Sequence, residues 1–269
     1  MNRSIIAFVA VCGTCASAFA AQSYTGTTYS ENFDTLPITP ATQGVWSATI
    51  GVQANVPGLT AGTWQGAKIG GTGTALMNLV VDSGTSNSGA IFSYGTSSAS
   101  TERALGALAS GTNIAGFGIA ITNNSSDALS EFTIAFNGEA WRSSTSSTGT
   151  PNVLAFAWGL SSTVGLDETN FLTSALMSVN TAGDIVGPTP VAANAALNPP
   201  TVTGYSVTIN GLNIAVGETI FLRWQDVNDQ GNDAGLAIDD FSFNAVAVPA
   251  PGATALLGLG GLLAARRRR

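Results

Sequence analysis

Residues 129–141 set Phe132, Ile134 and Phe136 on one side of the chain and Glu131, Thr133 and Ala135 on the other. That period of two marks a half-buried β-strand, because successive strand side chains point to opposite faces. Comparable short runs recur at 76–81, 114–122, 153–158, 205–210, 220–224 and 236–243, each bounded by Gly, Asn, Asp or Pro. Only residues 167–177 carry the pattern of even a short helix. A chain punctuated in this way buries its apolar residues by stacking sheets, so the expected fold class is all-β, a single antiparallel β-sandwich. With 45% hydrophobic residues the chain can build a core, and its 32 glycines show no period of three, which excludes a disordered chain and a collagen.

The run Asn123-Asn124-Ser125-Ser126-Asp127 is a strong turn signal and predicts a hairpin between 114–122 and 129–141. Loops are expected at 143–152 and at 181–203, the latter because it holds Pro188, Pro190, Pro199 and Pro200. Residues 244–252 read as a linker.

The chain has no histidine, and its two cysteines, Cys12 and Cys15, lie near the N-terminus. This removes Ser-His-Asp and Cys-His machinery and zinc sites of the usual nitrogen and sulfur kind. Carboxylate and hydroxyl chemistry is what remains, and no catalytic constellation is recognisable in it.

Both ends read as addresses. Arg3, the apolar run 5–11 and the small-x-small pattern Ala18-Phe19-Ala20 predict a signal peptide over residues 1–20, cut by signal peptidase after Ala20. Neither cysteine follows a small residue as a lipoprotein signal would need, and both leave with the peptide, so no disulfide is expected. At the other end, Pro249-Ala250-Pro251 precedes an apolar stretch over 253–265 and the cluster Arg266, Arg267, Arg268 and Arg269. Thirteen helical positions span roughly 20 Å, short of a bilayer core of about 30 Å, and the arginines stay on the cytoplasmic side. The inner membrane is therefore met only transiently.

This tripartite end, assigned to residues 247–269, resembles the PEP-CTERM sorting signal, with Ala250 where that family usually has Glu. The resemblance implies an exosortase-type processing enzyme acting at the proline segment, an apolar sorting helix, and a destination at the cell surface or outside the cell. A simple tail anchor and a chance apolar tail are the alternatives. Without the two ends, Lys68, Arg103, Arg142 and Arg223 stand against sixteen acidic residues, a net charge of −12. Such a surface repels nucleic acid and favours divalent cations.

The acidic motifs lie in 21–246, the expected sandwich domain. The loop 223–233 alternates oxygen-bearing residues around Gly231 as a hard cation requires, yet Gln230 and Ala237 break the EF-hand pattern, and a polar hairpin turn is the preferred explanation of the composition. Asp239 and Asp240 sit inside an apolar strand, where one of them must turn inward and find a cation, an arginine or backbone donors. Tyr29-Ser30-Glu31-Asn32-Phe33-Asp34 has the same character. If the first and last strands are neighbours, Glu31 or Asp34 shares a structural calcium with Asp239 or Asp240, against the alternative of pairing with Arg103 or Arg223.

Glu31-Asn32-Phe33-Asp34, the segments around Glu102 and Glu139, and the closing Asp239-Asp240-Phe241 resemble a bacterial secreted domain found ahead of PEP-CTERM tails. More distantly they resemble MAM-type and carbohydrate-binding jelly rolls. The resemblance implies a jelly-roll sandwich with a structural calcium between its end strands, and brings no catalytic residues. Among the tryptophans, Trp158 and Trp224 lie in apolar strands and read as core, while Trp46, Trp64 and Trp141 are candidate platforms for stacking a sugar ring. The leading expectation is a non-catalytic sandwich associated with the cell surface or an extracellular polysaccharide matrix. The alternatives are a calcium-supported sugar-binding module and a glycoside hydrolase using two of Glu31, Glu102, Glu139, Asp239 and Asp240.

Overall fold

The computed structural model describes residues 20–39, 43–60, 63–145 and 149–248. The signal segment 1–19, the sorting residues Pro249, Ala250, Pro251 and Arg266 to Arg269, and their apolar helix lie outside the described residues. Two eight-stranded sheets carry the fold. The first contains β1 (Gln22–Tyr24), β4 (Ala54–Asn55), β5 (Trp64–Gly70), β9 (Ile114–Asn123), β11 (Val153–Leu160), β12 (Ser178–Val179), β13 (Ile185–Val186) and β15 (Thr219–Asp226). The second contains β2 (Tyr29–Glu31), β3 (Gln43–Trp46), β6 (Met77–Asp82), β7 (Ala90–Tyr94), β8 (Ala104–Leu108), β10 (Leu129–Arg142), β14 (Ala196–Ile209) and β16 (Gly235–Ala247). Among the described residues the only helical turn is a 3-10 segment, Thr181–Gly183, and no helix is long and apolar enough to cross a membrane.

The inward positions of both sheets form one core, with Phe117, Ile119, Phe156, Leu222 and Trp224 facing Leu105, Phe132, Ile134, Phe136, Phe241 and Phe243. Trp224 is its hub, in contact with Trp64, Phe117, Phe136, Phe156 and Phe241 at centroid distances of 5.1–6.2 Å. The outer face of the first sheet is buried as well. Small residues there, Ala67, Ala120 and Ala157, let Leu166, Phe171, Leu172 and Met177 pack down on it. A Cβ at Gly118 would stand 2.1 Å from the Leu222 carbonyl oxygen and 2.9 Å from Phe171 Cε2, so this close approach needs glycine.

Several expectations are corrected. The sandwich is not wholly antiparallel, since β1 pairs with β9 and β6 with β7 in parallel. The turn at 123–127 forms, but β9 and β10 belong to opposite sheets, because both edges of β9 are already taken by β5 and β15. The buried Asn123 fixes this crossing, donating Nδ2 to Asp127, Ile214 and Ala215 carbonyls at 3.0–3.2 Å. Residues 167–177 are turns without a helix. Asp167 accepts from Thr169 N at 2.8 Å and Oγ1 at 2.6 Å, the local side-chain bonding that competes with helix formation. The proline-rich stretch is half strand: β14 begins at Ala196 and holds Pro199 and Pro200. It can do so as the edge strand, paired only with β10, and both prolines fall in the register shift opposite Ala140 to Arg142. β16 also runs on to Ala247, consuming the start of the expected linker.

Candidate functional site

β2 pairs with β16 in register Glu31↔Phe241, so the strand of the Tyr29–Asp34 motif is a neighbour of the last strand, while β1, the first, pairs with β9. The four carboxylates expected to share a calcium are nevertheless not one shell. Glu31 accepts from Phe33 N at 3.1 Å, and Asp34 accepts from Arg103 N at 3.2 Å and Asn32 Nδ2 at 2.8 Å. Among the described residues no three acidic side chains converge on one metal position. The cause is local to β16. Asp240 has φ 47° and sits in a bulge where Asp240 and Phe241 oppose Phe136 alone. The bulge returns Phe241 to the core and leaves Asp240 exposed and bonded to Asn137 Nδ2 at 2.9 Å, while Asp239, alternating with the core residue Ile238, lies on the outer face of the second sheet. Neither aspartate enters the sandwich core.

On that face the register Phe92↔Gly106↔Ala237↔Glu139 forms one row, and Asn137↔Asp239 belongs to the next. Glu102, two residues before β8 begins, closes the row end and makes a hydrogen bond with Asp239. Asp239 is 3% exposed. Burial, the bond with Glu102 that only a protonated acid can make, and the charges of Glu139 and Asp240 push its pKa up to about 9. Glu139 is pushed up to about 7, chiefly by burial and then by Glu102 and Asp240, against the pull of a 2.8 Å bond from Trp141 Nε1. The structure therefore gathers Glu102, Glu139, Asp239 and Asp240, and leaves Glu31 in a separate pair with Asp34.

Arg103 follows Glu102 in sequence and could neutralise this cluster, yet it points the other way. Its Nε donates to Ser93 Oγ at 2.9 Å, Nη1 to the Ser97 carbonyl at 3.0 Å, and Nη2 to the Ser93 carbonyl. The other basic side chains behave alike. Lys68 donates to the Gly73 carbonyl, Arg142 to Gly84 and Thr85 carbonyls at 2.8 and 2.9 Å, and Arg223 to Phe171, Leu172 and Ser174 carbonyls at 3.0–3.4 Å. All four are buried, so the surface of the described residues presents acids and no base.

The expected stacking platforms are corrected. Trp46, Trp64 and Trp141 are 0%, 0% and 2% exposed. Trp46 Nε1 bonds the Ala54 carbonyl and Trp64 Nε1 bonds Tyr29 Oη, each at 3.1 Å, and Trp141 stacks on Tyr94 at 5.6 Å. Trp224 is core as expected, whereas Trp158 is only half-buried, against Phe132. The signal missed for Trp141 was its outer-face neighbours Phe92 and Tyr94, which build a second apolar cluster over it.

No family model and no curated protein matches the chain. Among solved structures it is similar to the enzymatically active domain of bacteriophage CBA120 tailspike protein 4, at 12% identity and TM-score 0.33, covering 68% of this chain and 19% of that one. It is also similar to the cleaved adhesin domain of Lys-gingipain from Porphyromonas gingivalis (17% identity, TM-score 0.32, 82% and 99% covered). A third is the CBM22-1 xylan-binding domain of Paenibacillus barcinonensis Xyn10C (10% identity, TM-score 0.32, 76% and 99% covered). The chain thus spans about a fifth of the tailspike domain it matches.

Proposed function

We propose that the chain is an exported, non-catalytic β-sandwich of jelly-roll type that associates with extracellular polysaccharide at the cell surface, using calcium as the bridge. The observation that carries this reading is the acidic group on the outer face of the second sheet, where the buried Asp239 lies under the influence of Glu102, Glu139 and Asp240 with Arg103 turned away. Two carboxyls in contact hold either a shared proton or a cation, and a divalent ion displaces the proton at neutral pH. A surface without exposed bases among the described residues offers no cationic side chain to a carboxylated sugar. A calcium ion seated on Glu102 and Asp239 supplies one, since it takes six to eight oxygen ligands and can share them between protein and glycan.

The glycosidase reading is less well supported by the same group. Retaining and inverting enzymes hold their two carboxyls about 5–5.5 Å and about 6.5–9.5 Å apart around the scissile bond. Asp239 is instead 3% exposed and does not line an open cleft. The test is retention of the full chain on immobilised neutral and uronic-acid polysaccharides, in calcium and in EDTA. Retention on the uronic-acid material that EDTA and Asp239→Asn both abolish is the expected outcome; binding indifferent to both overturns the reading.

A further inference from the structure

Of the strands that end a sheet, β3, β4 and β12 are two to four residues long, whereas β14 has fourteen. β14 pairs with β10 alone, so its other side presents a row of backbone N–H and C=O groups with no strand beside them among the described residues. Long open edges are ordinarily blunted by charge, proline, a bulge or a covering segment. Pro199 and Pro200, which have no N–H to donate, do this for the first part of β14 and stop the free ladder at Thr201. Beyond them nothing does. From Thr201 to Ile209 the register with β10 is unbroken, and Thr201, Val202, Thr203, Gly204, Ser206 and Thr208 are exposed. The stretch reads Thr-Val-Thr-Gly-Tyr-Ser-Val-Thr-Ile, dominated by the β-branched and aromatic types that favour a pleated strand.

Charge decides what can lie against this edge. No Asp, Glu, Lys or Arg occurs between Asp184 and Glu218, in a chain whose described residues carry sixteen acids and four bases, all four bases buried. Two copies therefore repel each other over most of their surface and least along β14. The same stretch on a second copy meets every requirement of the edge at once, being uncharged, extended and of equal length. Antiparallel pairing of one strand with its own copy runs about a twofold axis and closes after two chains. Pro200 bounds the free stretch on one side, and the Asn210-Gly211 turn, with Gly211 at φ 72°, bounds it on the other. Full use of the stretch places the axis at Tyr205.

We propose that β14 is a self-association edge, along which two copies of this chain pair residues 201–209 antiparallel about Tyr205 and join their second sheets into one. This register sets Val202 opposite Thr208 of the partner subunit, and Gly204 opposite Ser206 of the partner subunit. The one acid on β10 that faces the stretch is Glu139, opposite Val202. In the pair, the two Glu139 side chains lie three strand spacings apart sideways and six residues apart lengthwise, roughly 24 Å, well beyond a Debye length of about 8 Å at physiological salt. The joint is thus free of like-charge repulsion. It needs no calcium and goes beyond the polysaccharide reading, on which it does not depend.

The test is sedimentation velocity of the full chain in EDTA across a range of protein concentrations, which removes calcium bridging as a cause of association. Wild type is expected to be a reversible dimer. Val202→Glu combined with Thr208→Glu places like charges opposite each other at two points of the ladder and should weaken the dimer by about tenfold or more; Val202→Lys combined with Thr208→Lys should do the same. Both positions are exposed, and thermal melting by circular dichroism checks that the variants stay folded. Mixing the two double variants sets Lys against Glu and should restore a dimer that neither forms alone. All variants keep the apolar residues 253–265, so association through that segment would persist in each of them. A wild type that stays monomeric at every concentration, a Glu variant that dimerises as wild type does, or a mixture that stays monomeric overturns the proposal.

Discussion

Asp239→Asn, studied in EDTA, separates a shared proton from an ionised pair. In the cation-free protein Asp239 stays protonated up to about 9, whereas the unfolded chain ionises it near 3.8. Between these values the folded state binds one proton more. Its stabilising contribution is therefore complete below the ordinary carboxylate range and is lost as pH rises toward about 9. One proton corresponds to about 1.4 kcal/mol per pH unit, and a domain of this size shifts its Tm by roughly 3 °C per kcal/mol, so the group tilts Tm by about 4 °C per pH unit. Asparagine keeps a donor toward Glu102 and does not titrate. Thermal unfolding followed by circular dichroism from pH 5 to pH 8 should give a Tm that falls less steeply in the variant by that amount. The variant should end above wild type at the alkaline side. Glu139 titrates in both proteins, and in the wild type its ionisation near 7 further holds the proton on Asp239. Parallel curves would refute the reasoning, because they would mean that Asp239 is ionised in the folded state.

Four other perturbations follow from the packing. Gly118→Ala drives a Cβ into the Leu222 carbonyl and the Phe171 ring, and should cost about 2–3 kcal/mol in chemical unfolding. Trp224→Leu empties the centre of five aromatic contacts and should cost about 3–5 kcal/mol in the same assay. Gln53→Ala removes the bonds to Leu172 N and the Glu168 carbonyl, so amide exchange should quicken at Leu172 while the global midpoint moves little. Replacing Pro199 and Pro200 together by threonine restores two N–H groups on an open edge strand, and light scattering should report concentration-dependent association.

The sheets were legible because their inward faces obey period two: Phe132, Ile134 and Phe136 announce β10 without help. What failed was pairing. Asn123 to Asp127 is a turn in either case, and whether it closes a hairpin or crosses the core depends on β5 and β15 occupying β9, which no local pattern encodes. Prolines 199 and 200 misled for the same reason, since only the finished sheet makes β14 an edge. At the site, the neighbourhood of Glu31 and β16 was set as a condition by the jelly-roll resemblance, and the pairing of β2 with β16 meets it. The bulge at Asp240 did not, because a non-glycine residue at positive φ has no compositional mark, and it is this bulge that keeps Asp240 out of the core and returns Phe241 to it.

Turning the four described basic side chains inward has a consequence for proteolysis. Proteases of trypsin specificity cleave after an accessible lysine or arginine on a pliable stretch of chain. Here Lys68, Arg103, Arg142 and Arg223 each clamp carbonyl oxygens beneath the surface. Among the described residues such an enzyme finds no foothold until the sandwich opens globally, and amine-directed crosslinking or glycation meets no free lysine. Cleavage by trypsin-like enzymes therefore reports global opening of the sandwich and not the exposure of any one described loop.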